Sequence, residues 1–464
     1  MIKNNKPLLM ELGHIILEKR TTYGTNKKGV PLYRFVSHQG NNTKRVVAYK
    51  KVNKNETTNV YAVVQPTEDT NKVSIVQIIG QIGNKAAEYE YLLHKNNLLS
   101  KQIKVQQPKC YYENIINEEL TRRECINAFT IDPATCKDYD DAFSVQTIYN
   151  RIIIGVHIAD VSFLVQPETM LDIIALNNLS TVYPAIKEPI HMLPKIICED
   201  LMSLKEKTKK LCVSVYYTYE NNNCINYKIV RDSVYIKKNY SYENAISKDI
   251  NTLFNLSKSK DSHDLVAYWM VKTNITIANE ITKNKSCILR VYNGKNENLN
   301  NNLNETQKLQ YKGLYYDSAN YIISNNKDDK HSMFDNIYTH FTSPLRRYCD
   351  IIVHRYLFSD YKIDDSIIKS INNKNTLLNK LKRGEEKLNI IYELEEYWSK
   401  NTIHFKTTGI VLKTEPLYVS IKILDKSFLL KVKSEKKFEL FNSVIVFLIP
   451  TIKHERKKLL INIQ

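Results

Sequence analysis

Apolar and polar residues alternate in short runs through residues 8–84, in VPLYRFV, RVVAYKKV, NVYAVVQ and VSIVQIIGQIG, with Asn, Lys and Thr between the runs. A period of two sends successive side chains to opposite faces, so each run reads as a strand and the set as a small barrel or sandwich. The period then lengthens: NKAAEYEYLLHKNNLL has helical spacing, and SKQIKVQQPK, rich in Gln and Lys, reads as a linker. Strands return from about 125 to 236 in NAFTID, DAFSVQTIY and RIIIGVHIADVSFLV, while KLCVSVYYTYENNNCINYKIVRDSVYI carries two runs about a polar Asn turn, the mark of a hairpin. A mostly helical block runs on to about 402, interrupted by the low-complexity NGKNENLNNNLNETQK. From 403 to 464 the alternation resumes over five short runs, the size and rhythm of an OB-type barrel, although other small barrels share them. The expected organisation is 1–98 as an OB-like domain, 99–124 as linker, 125–402 as the central domain and 403–464 as a second OB-like domain.

Composition adds a direction to this outline. The chain has 464 residues and a formal net charge of +18, which favours an anionic partner, nucleic acid first. Much of the excess Lys keeps company with Asn, Ile and Tyr, so codon bias accounts for part of the charge. The eight cysteines are scattered singly, with no C-x-x-C pair and no Cys/His set at zinc spacing, which fits a reducing compartment. No apolar run approaches the ~18 residues needed to span a bilayer, so no membrane partner is expected. The start, MIKNNKPLLMELGHIILEKR, carries Glu11 and His14 inside its apolar part and does not read as a signal peptide. An intracellular protein is expected, cytoplasmic with the nucleus as the alternative.

Against that basic background, AFTIDPATCKDYDDAFSV places Asp132, Asp138, Asp140 and Asp141 within ten residues. Two strands joined by a loop would bring Asp132 back beside the other three, and carboxylates within ~4–6 Å repel one another unless a cation intervenes. Ligation by carboxylates alone suits Mg²⁺ or Mn²⁺ better than zinc, and the missing D-x-D-x-D-G spacing argues against an EF-hand. The bland alternative is a solvated acidic loop. Downstream, YTHFTSPLRRYCDIIVHRYL reads as a helix capped by Thr342 or Ser343, with Pro344 in its first turn and Leu345, Tyr348, Ile352 and Tyr356 as its apolar stripe. Arg346 and Arg347 then fall in the first turn, where the helix dipole disfavours cations, which points to an anion held between them. Pairing with Asp350 is the structural alternative. Metal-binding carboxylates and a phosphate-grasping arginine are the parts of a metal-assisted phosphodiester hydrolase. No Walker loop or assigned Ser or Cys nucleophile offers another route.

TIDPATCKDYDDAFSV, GVHIADVSFLV, MLPKIICEDLMSLKEKTKKLCVSV and YTHFTSPLRRYCDIIVHR resemble, in order, the signatures of the RNB catalytic domain of the ribonuclease II, ribonuclease R and exosome-nuclease family. The resemblance implies an α+β fold, an RNB domain of mixed sheet and packed helices flanked by small OB-like barrels, the first of cold-shock type. It implies 3′-to-5′ hydrolysis of single-stranded RNA to 5′-mononucleotides with Mg²⁺ (or Mn²⁺), and association with a larger RNA-decay complex. Carried over by position, Asp132, Asp138, Asp140 and Asp141 match the family's acidic metal positions, Asp140 is also taken as catalytic, and Arg346 matches the family's catalytic arginine. Tyr183, Tyr242 and Arg347 resemble residues that contact RNA. The chain departs from the pattern at Ala267 and Tyr268, where an acidic pair is usual, at Tyr292, where histidine is usual, and at His191, where proline is usual. The alternative from another class is a catalytically inactive RNB protein that binds RNA or serves as a scaffold.

Overall fold

The structure is a computed structural model that describes residues 10–18, 21–38, 45–51, 57–99, 107–291, 319–331, 334–362, 364–400, 405–415, 418–423, 428–434, 436, 438–439, 441–453 and 456–463. Five strands open the chain: β1 (Glu11–Ile15), β2 (Leu32–Ser37), β3 (Arg45–Ala48), β4 (Val60–Pro66) and β5 (Lys72–Gln81). They pair in the order β1-β2-β3-β5-β4, and β4 returns to β1 to close a barrel around Ile15, Phe35, Val47 and Val64. Closure removes free edges and leaves no strand unpaired, and β1 and β4 are buried on both faces, the outer one in a second cluster of Leu12, Tyr61 and Val63. Helix α1 (Lys85–Lys95) follows, capped by the Asn84 side chain, which accepts from the Ala87 N–H.

The segment expected to be a linker holds a helix over half its length. α2 (Lys109–Arg122) buries Tyr112 and Ile116, four residues apart, in the main core, and Arg123 at its end reaches the buried Asp160 at 2.8 Å. Its other positions are mostly polar, which concealed so narrow an apolar face.

The central domain is built on a second closed barrel, ordered β10-β6-β7-β8-β9. Its strands are β6 (Cys125–Asp132), β7 (Asp141–Ile148), β8 (Arg151–Ala159), β9 (Lys209–Glu220) and β10 (Asn223–Ser241). β9 and β10 form the expected hairpin, and β10 then runs parallel to β6 from Ser233↔Cys125 to Ser241↔Asp132. By contrast β6 meets β7 in one register pair, Phe129↔Phe143, before the two diverge. That divergence opens the barrel's end at the acidic loop. β8 is buried on both faces along most of its length, which explains its near-continuous apolar run. A Cβ at Gly155 would meet Ser144 Oγ at 2.4 Å and His157 Nε2 at 2.5 Å, so only glycine fits beneath that pair.

Between β8 and β9 lie the short α3 (Val161–Leu164), α4 (Met170–Asn178) and one π-helical turn, Ile197–Leu201. After the barrel come α5 (Lys248–Ser257) and α6 (Ser262–Thr282), whose Trp269 is fully buried against Tyr217 and Tyr219. The block expected to be helical also contains a two-stranded antiparallel sheet, β11 (Cys287–Val291) with β12 (Asn320–Ser324). The low-complexity stretch and Tyr292 lie outside the described residues. α7 (Tyr348–Phe358) and the 36-residue α8 (Asp365–Lys400) complete the domain. Last come β13 (Phe405–Glu415), β14 (Tyr418–Ile423), β15 (Phe428–Lys433), β16 (Ser443–Lys453) and β17 (Arg456–Ile463), an antiparallel sheet ordered β15-β14-β13-β16-β17. Among the described residues no helix is long and apolar enough to cross a membrane, and all eight cysteines are free.

Candidate active site

β6 ends on Asp132 and β7 begins on Asp141, so the loop between them returns upon itself and gathers the four aspartates at one end of the barrel. Among the contacts that hold it, Cys136 N–H donates to Pro133 O (2.9 Å), Tyr139 N–H to Ser203 Oγ (3.0 Å), Ser203 Oγ–H to Lys137 O (2.9 Å) and Leu204 N–H to Tyr139 O (3.0 Å). Asp140 and Asp141 are buried. Burial pushes the Asp132 carboxyl up to about 6 and the Asp140 carboxyl up to about 7, the nearby Arg346 charge restraining both. Asp141 is raised well above the carboxylate range, first by burial and then by the charges of Asp132 and Asp140. Oδ2 of Asp132 and Oδ2 of Asp141 are buried with no hydrogen-bond partner among the described residues. A buried, unpartnered carboxylate oxygen is costly, so the loop stores unsatisfied acceptor capacity in two residues that line the cleft.

The arginine motif departs from its expected helical start. Pro344 to Arg346 form a turn, Arg347 is extended, and α7 begins only at Tyr348. The cause is competition for the backbone: Arg346 O accepts from Thr181 N–H (3.0 Å), and Tyr348 N–H donates to Leu179 O (2.9 Å). Neither Thr342 nor Ser343 caps the helix: Arg347 holds the cap position with no side-chain hydrogen bond, and Asp350 in the first turn accepts from Ser343 N–H at 2.8 Å. The turn delivers two donors to Asp140, Leu345 N–H to Oδ1 (2.8 Å) and Arg346 Nε to Oδ2 (2.9 Å). Arg346 Nη2 also donates to Ser343 Oγ (3.0 Å), yet its side chain remains 45% exposed. Arg347 takes the structural alternative, pairing with the fully buried Asp350 at 2.8 Å, although it too lines the cleft.

These groups share one cleft of about 960 Å³, within the range of ligand sites. Tyr183, 47% exposed, faces the acidic loop and donates its hydroxyl to Asp138 Oδ2 at 2.6 Å. Tyr242 stacks on His263 with ring centroids 3.8 Å apart, and burial raises its hydroxyl to about 12. Val266, Met270 and Asn274 of α6 line the cleft, whereas Ala267 and Tyr268 are exposed and do not. The departure at those two positions therefore leaves the cleft wall itself intact. His191 lines the cleft and pairs with Glu199 at 2.8 Å. The sequence reading passed over Cys136, whose Sγ lies 3.8 Å from Asp132 Oδ1, and, on the facing wall, Lys187 and Glu188, the latter pairing with Lys137 of the aspartate loop at 3.6 Å. Cys136 stands inside the aspartate motif and could have been found there; the facing wall has no local signal.

A closed barrel wrapped in helices, with four carboxylates and an arginine at one end, defines a helix-flanked barrel protein with an acidic cleft. The model of the RNB domain matches residues 119–249 and 246–361, more than half of the chain, and the chain belongs to that family. Ribonuclease R of Chlamydia pneumoniae is 26% identical over 386 residues, 64% of this chain and 57% of the relative. The chain thus spans little more than half the length of the first curated relatives it matches. The apo form of Mycoplasma genitalium RNase R shares the fold at a TM-score of 0.73 and 17% identity, over 98% of this chain and 90% of that one. That protein has also been solved with ribose-methylated single-stranded RNA. Yeast Ssd1, described as a pseudonuclease, matches at 0.66 and 16% identity, over 96% of this chain and 68% of its own.

Proposed function

We propose that this protein is a metal-dependent exoribonuclease that hydrolyses single-stranded RNA from the 3′ end to 5′-mononucleotides. The observation that carries the reading is the pair of orphaned oxygens on Asp132 and Asp141, in the same cleft as Arg346. Their chemistry fits a hard divalent cation, Mg²⁺ or Mn²⁺: all-carboxylate donors, raised carboxyl pKa values and two unmatched acceptors. As placed, no three His, Cys, Asp or Glu side chains among the described residues close on one point, so the fit rests on donor type and on those two oxygens. Asp132, Asp138, Asp140 and Asp141 would hold the ion, which when bound polarises the phosphate and lowers the pKa of water. The chain's own share is positional: Arg346, fixed by Asp140 and Ser343, offers a cation to the phosphate where charge develops, and Tyr183 and Tyr242 offer rings to bases. The same reading includes association with a larger RNA-decay complex. Purified protein with 3′- or 5′-labelled single-stranded RNA should release mononucleotides from the 3′ end in Mg²⁺ or Mn²⁺ and stop in EDTA. Undiminished cleavage in EDTA would remove the metal from the mechanism.

The likeness to a pseudonuclease favours a second reading, an RNB protein that binds RNA without cutting it. Against it stands the retention of all four aspartates and Arg346 in one cleft. The same assay separates them: binding without product in any divalent metal would establish the inactive form.

A further inference from the structure

The cleft wall opposite the aspartates is a loop closed on itself. Val182 and Ile190 exchange both backbone hydrogen bonds, each 2.9 Å, so residues 183–189 project as a unit with Tyr183 at its start. Two contacts cross the cleft from this loop, Tyr183 Oη–H to Asp138 and Glu188 to Lys137 at 3.6 Å. Three further restraints come from outside the barrel. Val182 joins a small apolar cluster with Leu93 of α1, Leu98 just beyond that helix, and Leu381 of α8. Lys187 pairs with Glu90 of α1. The third restraint is polar: the Ala185 N–H donates to Oε1 of Glu385 on α8 at 3.0 Å.

Glu385 is 7% exposed, and burial raises its carboxyl pKa, with the Ala185 N–H pulling the other way. Burying a carboxylate is expensive unless a specific contact offsets it. Here the contact is an amide two residues from Tyr183, whose hydroxyl is bound to Asp138 across the cleft. We infer that Glu385 is a positioning residue of the cleft, fixing the Tyr183 loop against the aspartate loop through the Ala185 amide. It touches no residue of the acidic cluster and is not part of the cleft lining. The kinetic half of this inference rests on the ribonuclease reading; the structural half does not.

The test uses the full chain as wild type, Glu385→Gln, Glu385→Asp and Glu385→Ala, with two readouts: hydrogen exchange of the peptide covering 182–190, and single-turnover RNA cleavage beside RNA affinity. Gln keeps an acceptor at the same reach, so exchange and rate should match wild type. Asp keeps the charge but withdraws the acceptor by one methylene, and it should behave as Ala does. Both should exchange faster in 182–190 and lose rate by about 10–100-fold, the effect of a misplacement near 1 Å, with RNA affinity within about twofold. Should Ala fail to fold, the contrast between Gln and Asp decides alone. Unchanged exchange in Asp and Ala overturns the clamp, and faster exchange at an undiminished rate overturns its positioning role. A wild type that cuts no RNA overturns the ribonuclease reading instead, while the exchange data still judge the clamp.

Discussion

Asp140 serves packing and chemistry with one carboxylate. Its two oxygens accept from Leu345 N–H and Arg346 Nε, and it is buried with its carboxyl raised to about 7. Asp140→Asn keeps an oxygen for Leu345 but sets an amide donor against the Arg346 donor, so the arginine is left with its Ser343 bond alone as the site loses a charge. Single-turnover cleavage should fall by about 10²–10³, as when one preorganised group is removed. RNA affinity should hold or rise, because a negative charge near the phosphate is gone. Denaturant titration should show a loss of about 1 kcal/mol from the one broken bond. Parallel loss of stability and affinity with a retained rate would make Asp140 structural only.

Across the barrel strands, a buried row links side chains that no local pattern connects. Ser144 on β7 meets His157 Nε2 at 2.9 Å, His157 Nδ1 meets Ser214 Oγ at 2.7 Å, and Ser214 donates to Asp232 at 2.5 Å. Gly155 makes the room for it. Burial lowers the His157 pKa to about 3, so the folded protein keeps the ring neutral while the unfolded chain titrates near 6.5. Between those values the unfolded state binds the extra proton, so this group's contribution to stability falls as pH falls from about 6.5 towards 3. The raised carboxyls of Asp132 and Asp232 act in the opposite sense but are common to any His157 variant. His157→Gln should therefore lose stability at pH 7 yet show a shallower decline on acidification, measured as unfolding free energy against pH. Equal slopes would mean that the ring is not held neutral. At this scale the sequence was readable where period and burial agree, as in β8 or the β9–β10 hairpin. It misled at α2, whose buried face is two residues wide, and at α7, where backbone bonds to Leu179 and Thr181 delay the helix beyond the arginines.

For the molecule as a whole, the +18 charge should appear as a steep fall of RNA affinity with salt, log Kd rising linearly with log salt as counterions return. Affinity indifferent to salt would assign the charge to codon bias. The acidic half of the site was legible because four aspartates lie within ten residues, and their mutual repulsion is an argument that needs no coordinates. The meeting of Arg346 with Asp140, 206 residues away, could be proposed from complementary chemistry but not located. Glu385 was invisible, since in a helix rich in Glu and Lys a carboxylate reads as solvated, and only the arrival of Ala185 from 200 residues upstream changes that. The same distances bear on how the chain comes into being. The barrel closes when β10 pairs with β6, between residues such as Ser233 and Cys125, and Asp140 has both its donors only after residue 346 exists. Domains form from the N-terminus as synthesis proceeds, and pairings between distant residues come slowly. A half-made chain on the ribosome can therefore carry all four aspartates before Arg346 and the cleft around them exist, so the acidic loop is complete in sequence well before it is complete as a site.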